Sequence, residues 1–150
     1  MTPVPFATLG RISPGDLLDA VRSPERGGTA LFLGTVRHGP DDGAVVRIEY
    51  TAYEPMLEAE FASILAEAER RWPLARVVAK HRLGEVPLGE ASIGIAAAAP
   101  HRADAMAACG FVIEQAKKRL PVWKREILAD GSAAWRDNLG GRTASPRPGS

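Results

Sequence analysis

Two long segments of the sequence repeat apolar residues at helical spacing, and each of them stops at a proline. The first covers residues 54–71 and has its apolar face at Leu57, Phe61, Ile64, Leu65 and Ala68. The second is predicted to run from near Arg102 to about Arg119, with a buried stripe of Met106, Cys109, Ile113 and Ala116. Proline disfavours helical geometry in the residue before it, so Pro73 and Pro121 end the two helices. Each apolar face must be buried against another layer of structure.

β-Rich segments lie between the helices and can supply that layer. Four of them have the composition or alternation of strands, at residues 29–36, 44–53, 76–83 and 91–98. The connection HGPDDG, residues 38–43, is typical of a mobile surface loop, and GEVPLGE, residues 84–90, is typical of a turn. The run Ser13-Pro14-Gly15-Asp16 predicts a short capped helix ahead of the first strand. Beyond Pro121 we expect short irregular or extended pieces.

This order of elements predicts an α+β fold with mixed or antiparallel strand pairing, in a single domain over residues 1–136. A chain of 150 residues can bury a sizeable core. Its single cysteine, Cys109, means that packing rather than disulfides must stabilise the fold. Residues 137–150 are rich in Gly, Pro, Ser and Arg, which predicts a disordered tail. No signal peptide or membrane span is recognisable, so we expect a cytoplasmic protein without a membrane partner.

The segment KKRLPVWKR, residues 117–125, carries five positive charges and no negative one. Pro121 breaks the helix between Lys117 and Lys124, so the chain can fold back and direct both amines to one place. A lysine that is partly desolvated beside another cation has a lowered pKa and can act as a base or nucleophile near neutral pH. The pattern also fits a solvated basic face at a helix C-terminus, where the macrodipole favours cations. Glu126 could orient Lys124 or merely screen it.

Two further places are candidates for binding an anion. Pro100-His101-Arg102 lies where a strand gives way to a helix, and the free N–H groups of a helix start favour phosphate. Arginine and histidine there would strengthen such a site, although an ordinary helix start with exposed polar residues has the same pattern. Arg37 follows the strand 29–36, a position that is common for binding residues but means little alone.

Other kinds of site have weak support in the sequence. No His, Cys, Asp or Glu cluster has the spacing of metal ligands, and the glycines match neither a P-loop nor a dinucleotide-binding motif. We therefore predict no metal site and no cofactor. Cys109 falls on an apolar stripe and is interpreted as core filler rather than a nucleophile. Trp123 could stack on a planar ring or simply belong to the core.

At these residues the sequence resembles a known family, the large catalytic subunits of molybdopterin synthase. Five blocks follow the family's order and spacing between about Gly28 and Trp135: FLGTVRHG, IEYTAYEPM, RWPLARVVAKHRLGEVPLGE, APHRADAM and KKRLPVWKRE. The resemblance implies an α+β hammerhead fold and a central homodimer with a small ubiquitin-like subunit at each end, a heterotetramer. It implies a sulfurtransferase of molybdenum cofactor biosynthesis. Two sulfurs would pass from the small subunit's Gly-Gly thiocarboxylate to cyclic pyranopterin monophosphate, giving the molybdopterin dithiolene.

The resemblance also implies roles for individual residues of this chain. Lys117 matches the family's catalytic lysine and Lys124 its second pocket lysine. The residues implied to bind or line the substrate are Arg37, His101, Arg102, Phe32, Ile113 and Glu126. In the family, the phosphate-holding pair that matches His101 and Arg102 can come from the neighbouring subunit. Ile113 departs from members that have methionine there but stays apolar, and the sequence after Trp135 matches the family poorly.

Two other functions are compatible with the residues alone. A binding module could use residues 117–125 to grip nucleic acid through its phosphates and through stacking on Trp123. The net charge of +1 and the acidic side of the first long helix argue against it, so no nucleic-acid partner is predicted. An adaptor that only docks a small partner would use the lysines as interface charges. Loss of turnover on removing the Lys117 amine separates a synthase from an adaptor.

Overall fold

One mixed sheet, one antiparallel sheet and three helices make up the described part of the chain. The structure, a computed structural model, describes residues 5–38 and 44–136. The predicted tail, residues 137–150, and residues 39–43 of the predicted loop lie outside them. In chain order the elements are β1 (Ala7–Thr8), α1 (Pro14–Val21), β2 (Gly28–Thr35), β3 (Val45–Ala52), α2 (Glu54–Arg71), β4 (Arg76–Arg82), β5 (Gly84–Pro87), β6 (Ala91–Ala99), α3 (Arg102–Arg119), β7 (Val122–Leu128) and β8 (Ala133–Arg136).

The first sheet has the strand order β1-β4-β6-β2 and carries the main core. Its only parallel pair, among the described strands, is β1 with β4, and its other neighbours are antiparallel. β6 lies in the middle and reads ASIGIAAAA, a run that is buried from Ser92 to Ala99. Such small side chains let layers approach closely on both faces. Accordingly α1 packs on one face of this sheet, and α2 and α3 pack on the other.

The second sheet has the order β5-β3-β7-β8 and is antiparallel throughout. In the β3–β7 pair, Tyr50 lies opposite Lys124, and Ile48 lies opposite Glu126. Residues directly opposite each other in an antiparallel pair share one face of the sheet. This register therefore puts an aromatic, a basic and an acidic side chain on the same side, which is where the candidate site forms.

Both long helices are confirmed, but one predicted core residue is wrong. Leu57, Phe61 and Ile64 of α2 are completely buried, as their spacing predicts. On α3, however, Met106 is 65% exposed. The buried residues of that helix are Ala105, Ala108, Cys109, Val112 and Ala116. The stripe is centred on alanines because small side chains allow close packing on β6, and this rotates the larger Met106 outward.

Further strands form where the sequence predicted a turn or left irregular and extended chain open. β5 lies inside the predicted turn of residues 84–90 and pairs with β3. The chain beyond Pro121, predicted to form short irregular or extended pieces, is extended and forms the hairpin of β7 and β8. β3 also contains a register shift between Val45 and Arg47, so Val45 and Ile48 are both buried although strict alternation would separate them.

No helix in the described ranges is long and apolar enough to cross a membrane.

β2 connects two regions of the molecule, the start of α3 at one end and the second sheet at the other. At its first residue, a Cβ on Gly28 would stand only 2.9 Å from the Arg102 backbone, so this strand begins against the start of α3. At its other end, the Val36 N–H donates to the carbonyl of Glu90, beside the second sheet. β2 is also an outer strand of its sheet, with Leu31 and Phe32 each 37% exposed.

Candidate active site

A polar pocket of about 260 Å³ opens where the two sheets meet the end of α3. Strand ends, one helix end and one face of the second sheet all contribute side chains to it. Its lining residues are Gly34, Thr35, Val36, Arg37, Ile48, Tyr50, Ser92, Lys117, Lys124 and Glu126. Four residues singled out from the sequence, Arg37, Lys117, Lys124 and Glu126, therefore share one cavity.

The turn at Pro121 explains why the two lysines converge. Lys117 lies in the last turn of α3, and the helix stops at Leu120, whose extended backbone (φ −71°, ψ 131°) is typical of a residue before proline. The chain then returns as β7, which carries Lys124 on the face that Tyr50 occupies from β3. A helix end and a strand therefore point two amines into one pocket.

The surroundings of Lys117 favour its neutral form. Desolvation lowers the pKa of Lys117, and the nearby positive charge of Lys124 lowers it further. Within residues 5–38 and 44–136, neither lysine forms an ion pair with an acidic side chain. Although Lys117 as a whole residue is exposed, its amine faces a small polar cavity rather than a carboxylate. A pocket of this kind suits an anionic ligand and a proton acceptor.

The two arginines of the basic run have structural partners outside the pocket. Arg119 forms ion pairs with Glu60 and Glu67 of α2, which tie the two long helices together. Arg125 pairs with Glu49 across β3 and β7 at 2.7 Å. The run thus consists of two pocket lysines, two structural arginines and the exposed Lys118, and it does not form one continuous basic stripe of the kind that grips nucleic acid.

Glu126 is buried, with 9% of its surface exposed, and its carboxylate is held by Arg136. The Arg136 Nε donates to Glu126 Oε1 at 2.7 Å. Arg136 was not singled out from the sequence, because it lies where the likeness to the family fades.

Tyr50, Ser92 and His81 form a polar group at the back of the pocket that the sequence did not reveal. The Ser92 hydroxyl donates to the Gly34 carbonyl at 3.2 Å. Burial raises the pKa of Tyr50; the charge of Glu126 adds to this shift and a hydrogen bond with Ser92 opposes it. The ring of His81 stands edge-on to Tyr50, with 5.2 Å between the ring centroids.

Two predicted lining residues border the pocket without lining it. The Phe32 ring lies against Gly34, 3.5 Å from where a Cβ on that glycine would stand. Ile113 lies one turn before Lys117 on α3 and is partly buried against the main core. Cys109, interpreted as core filler, is 6% exposed, and burial raises the pKa of its thiol, so that interpretation is confirmed.

His101 and Arg102 do not reach this pocket in a single chain. His101 caps the start of α3 and Arg102 is its first residue, whereas Lys117 lies near the other end. The helical rise separates Arg102 from Lys117 by roughly 22 Å. Both residues are exposed, and the His101 side chain makes no capping hydrogen bond to the helix. In one chain, the predicted anion-binding pair is thus separate from the lysines.

A larger cavity of about 630 Å³ lies elsewhere, between α1, α2 and β4. None of the residues proposed from the sequence lines it. Its walls are mainly apolar, and Pro5, Leu17, Leu65 and Val77 are among the residues that line it. Its size is therefore no reason to move the chemistry away from the lysine pocket.

Comparison with known proteins decides the family. The profile of the MoaE protein family matches residues 8–119, most of the described chain. This chain belongs to the MoaE family. The match includes Arg37, His101, Arg102 and Lys117 and stops before Lys124. The resemblance inferred from the sequence blocks is thereby confirmed.

Relatives and a solved structure extend this similarity beyond the profile. The molybdopterin synthase catalytic subunit of Oryza sativa subsp. indica is 43% identical over 129 residues, which cover 86% of this chain and 66% of that protein. The corresponding subunit of Thermoplasma volcanium is 38% identical over 124 residues, 83% of this chain and 90% of that protein. The crystal structure of molybdopterin synthase from Staphylococcus aureus, 30% identical, has a TM-score of 0.82 and covers 87% of this chain and 94% of that one. The α+β MoaE fold is thus confirmed, while this chain spans about two thirds of the rice protein.

Proposed function

We propose that this chain is the catalytic subunit of a molybdopterin synthase. It would transfer two sulfur atoms from the thiocarboxylated C-terminus of a small ubiquitin-like subunit to cyclic pyranopterin monophosphate, in two successive steps that build the dithiolene. The observation that carries the proposal is the pocket in which Lys117 and Lys124 face one cavity without an acidic partner among the described residues. Membership of the MoaE family and the similarity to proteins named molybdopterin synthase catalytic subunit support it.

The pocket's electrostatics fit the proposed reaction. Once the thiocarboxylate sulfur has bonded to the pterin as a thioester, attack of water on the thioester carbonyl creates a tetrahedral intermediate with a negative oxygen, which nearby cations stabilise. Its collapse breaks the carbonyl–sulfur bond, leaves the sulfur on the pterin and releases the small subunit with an ordinary carboxylate. Lys124 and Arg37 are the stabilising cations, and Phe32 and Ile113 border the place where the small subunit's tail and the pterin meet. Lys117, whose pKa is lowered by desolvation and by Lys124, acts as general base or transient nucleophile.

The phosphate of the substrate would be bound by His101 and Arg102 of a second copy of this chain. β2 is an outer strand, and its first residue contacts Arg102 whereas its other end leads to Arg37 in the pocket. If two copies pair their β2 strands antiparallel about a two-fold axis, each strand's start meets the other's end. The partner's helix start then lies beside the lysine pocket, and the homodimer carries two composite sites, each with its small subunit.

Reconstitution of the reaction tests the proposed function. Wild-type chain, thiocarboxylated small subunit and cyclic pyranopterin monophosphate are expected to give molybdopterin, detected after oxidation to its fluorescent pterin derivative. The same small subunit with an ordinary carboxylate is the matched control and should give none, because it carries no transferable sulfur. A folded chain that binds the small subunit but yields no product with the thiocarboxylate would overturn the proposal.

Mixing two inactive variants tests the composite site. Lys117→Ala and Arg102→Ala should each be nearly inactive alone. In an equimolar mixture that has exchanged subunits, a hybrid dimer unites the intact Lys117 of one copy with the intact Arg102 of the other. Because half of the dimers are hybrid and one of their two sites is intact, activity should recover to roughly a quarter of wild type. No recovery from verified hybrids would mean that each site is built within one chain.

A further inference from the structure

Glu126 is the one acidic residue among the described residues that line the pocket of the two lysines, yet neither lysine is its ion-pair partner. Lys117, Lys124 and Glu126 line the same cavity. The Glu126 carboxylate instead pairs with Arg136, and both side chains are largely buried, with exposed fractions of 12% and 21%. A buried carboxylate takes the best available cation, so the presence of Arg136 decides which charges the pocket presents.

Strand register places Arg136 to hold that carboxylate. Arg136 of β8 lies directly opposite Lys124 of β7, and Ala134 lies opposite Glu126. Two cations opposite each other repel. The small side chain of Ala134 leaves room for Arg136 to lean along the sheet to Glu126, which removes that repulsion and draws the carboxylate toward β8.

We propose that Arg136 is a positioning residue that holds the Glu126 carboxylate on the β8 side of the pocket and keeps Lys117 and Lys124 available for an anionic ligand. Its effect on sulfur transfer rests on the proposed function, whereas its effect on the charge state of the pocket does not.

The charged and titratable groups around Lys117 come from every element that borders the cavity. They are Lys124 and Glu126 of β7, Arg136 of β8, Tyr50 of β3, His81 of β4 and Arg37 after β2. Of these, only Glu126 is a carboxylate. Without Arg136, its negative charge is uncompensated and the two lysines become its nearest cations. An opposite charge favours the ammonium form, so the pKa of Lys117 must then rise.

Titration of Lys117 in Arg136→Gln measures this effect directly. The chain has four lysines, Lys80, Lys117, Lys118 and Lys124. After reductive ¹³C-methylation their NMR signals can be assigned with single Lys→Arg variants. We expect the midpoint of the Lys117 titration to move to higher pH by roughly one unit in Arg136→Gln. The acidic limb of the pH profile of kcat/KM should move in the same direction.

Two further variants separate positioning from a purely structural role. In the double variant Arg136→Gln/Glu126→Gln, the carboxylate is gone and the Lys117 midpoint should return close to the wild-type value. Arg125→Gln is the matched control. Arg125 is the residue before Glu126 on β7, forms an equally short ion pair with Glu49 of β3, and does not line the pocket. It should leave the Lys117 midpoint unchanged.

The proposal is overturned if Arg136→Gln leaves the Lys117 midpoint in place, or if Arg125→Gln moves it equally. It is also overturned if the double variant keeps the shift, since Glu126 would then not be its cause. Should Arg136→Gln be too unstable, Arg136→Met retains the aliphatic stem and allows the same titration. Because the titration requires no sulfur transfer, a shifted midpoint in a chain that makes no molybdopterin would refute the proposed function and leave this inference intact.

Discussion

Replacing Lys117 with alanine is expected to lower molybdopterin formation by roughly 10²–10⁴-fold, the range that removal of a general base or nucleophile produces. The change removes the amine whose pKa is lowered by desolvation and by Lys124. It should leave the fold in place, because Lys117 is exposed as a residue and forms no ion pair within the described chain. Initial rates at saturating small subunit and pterin measure the effect.

Lys118→Ala is the control for that result. Lys118 is the next residue, is exposed, has the same charge and does not line the pocket. It should keep turnover within about twofold of wild type, as surface changes usually do. Equal binding of the small subunit by all three proteins, measured by calorimetry, shows that docking is intact. If Lys117→Ala turns over as fast as Lys118→Ala, the chain uses its lysines for docking and the adaptor interpretation replaces the catalytic one.

The pH dependence of the wild-type reaction follows from the same lysine. A base or nucleophile must be neutral, so the rate should rise as pH increases through the pKa of Lys117. Because that pKa is lowered from its usual value, the rise occurs at lower pH than for an ordinary lysine. The positive charge of Lys124 is one cause of the lowered pKa, so both lysines contribute to the predicted pH dependence.

Those parts of the fold and the site that depend on local sequence signals could be predicted. The helical spacing in α2 and the proline after α3 are local signals, and both have the predicted consequence. The break at Pro121 made convergence of Lys117 and Lys124 one of two interpretations of the basic run, and the pocket confirms it. The division of the basic run could not be foreseen, because Arg119 is paired by residues of α2 that lie more than fifty positions earlier in the chain.

Other features depend on strand register, which the sequence does not display. Tyr50 enters the pocket because it lies opposite Lys124, and Arg136 reaches Glu126 because Ala134 leaves space. β5 was interpreted as a turn because its four residues contain glycine and proline, and only pairing with β3 makes them a strand. Met106 was placed in the core because apolar residues repeat at helical spacing, but alanine packing on β6 sets the rotation of α3. Each of these outcomes is decided by a neighbour that is distant in sequence.

A large effect of pH on stability is expected from His81. It is 4% exposed, stands against Tyr50, and its Nδ1 lies 2.9 Å from the Arg82 carbonyl. A carbonyl can only accept, so Nδ1 carries the proton of the neutral ring. Burial lowers the pKa of His81 to about 4; the hydrogen bond to Arg82 opposes this and the charge of Lys117 contributes to it.

This lowered pKa predicts acid-induced loss of stability in a defined window. The unfolded chain protonates His81 near pH 6.5 and the folded chain only near pH 4. Above about pH 6.5 neither state holds the proton and stability is complete. As pH falls from 6.5 to 4 the unfolded state alone gains the proton, which should lower the free energy of unfolding by about 3 kcal/mol. Urea unfolding at a series of pH values measures the slope.

His81→Asn should flatten the unfolding free energy between pH 6.5 and pH 4, because asparagine can keep a donor toward the Arg82 carbonyl but has no titrating ring. The variant will be less stable than wild type at neutral pH, so the diagnostic quantity is the slope with pH and not the absolute value. His38→Asn is the control, since His38 is exposed, and its slope should match wild type. A slope as steep in His81→Asn as in wild type would assign the acid sensitivity to other groups.

Glu67 and Glu90 cannot produce the upper part of this window. Hydrogen bonds from arginines lower the pKa values of their carboxyls in the folded chain, so these groups take up protons only at lower pH, in the folded and in the unfolded state. Loss of stability between pH 6.5 and pH 5 therefore reports on the ring that lies directly behind the lysine pocket.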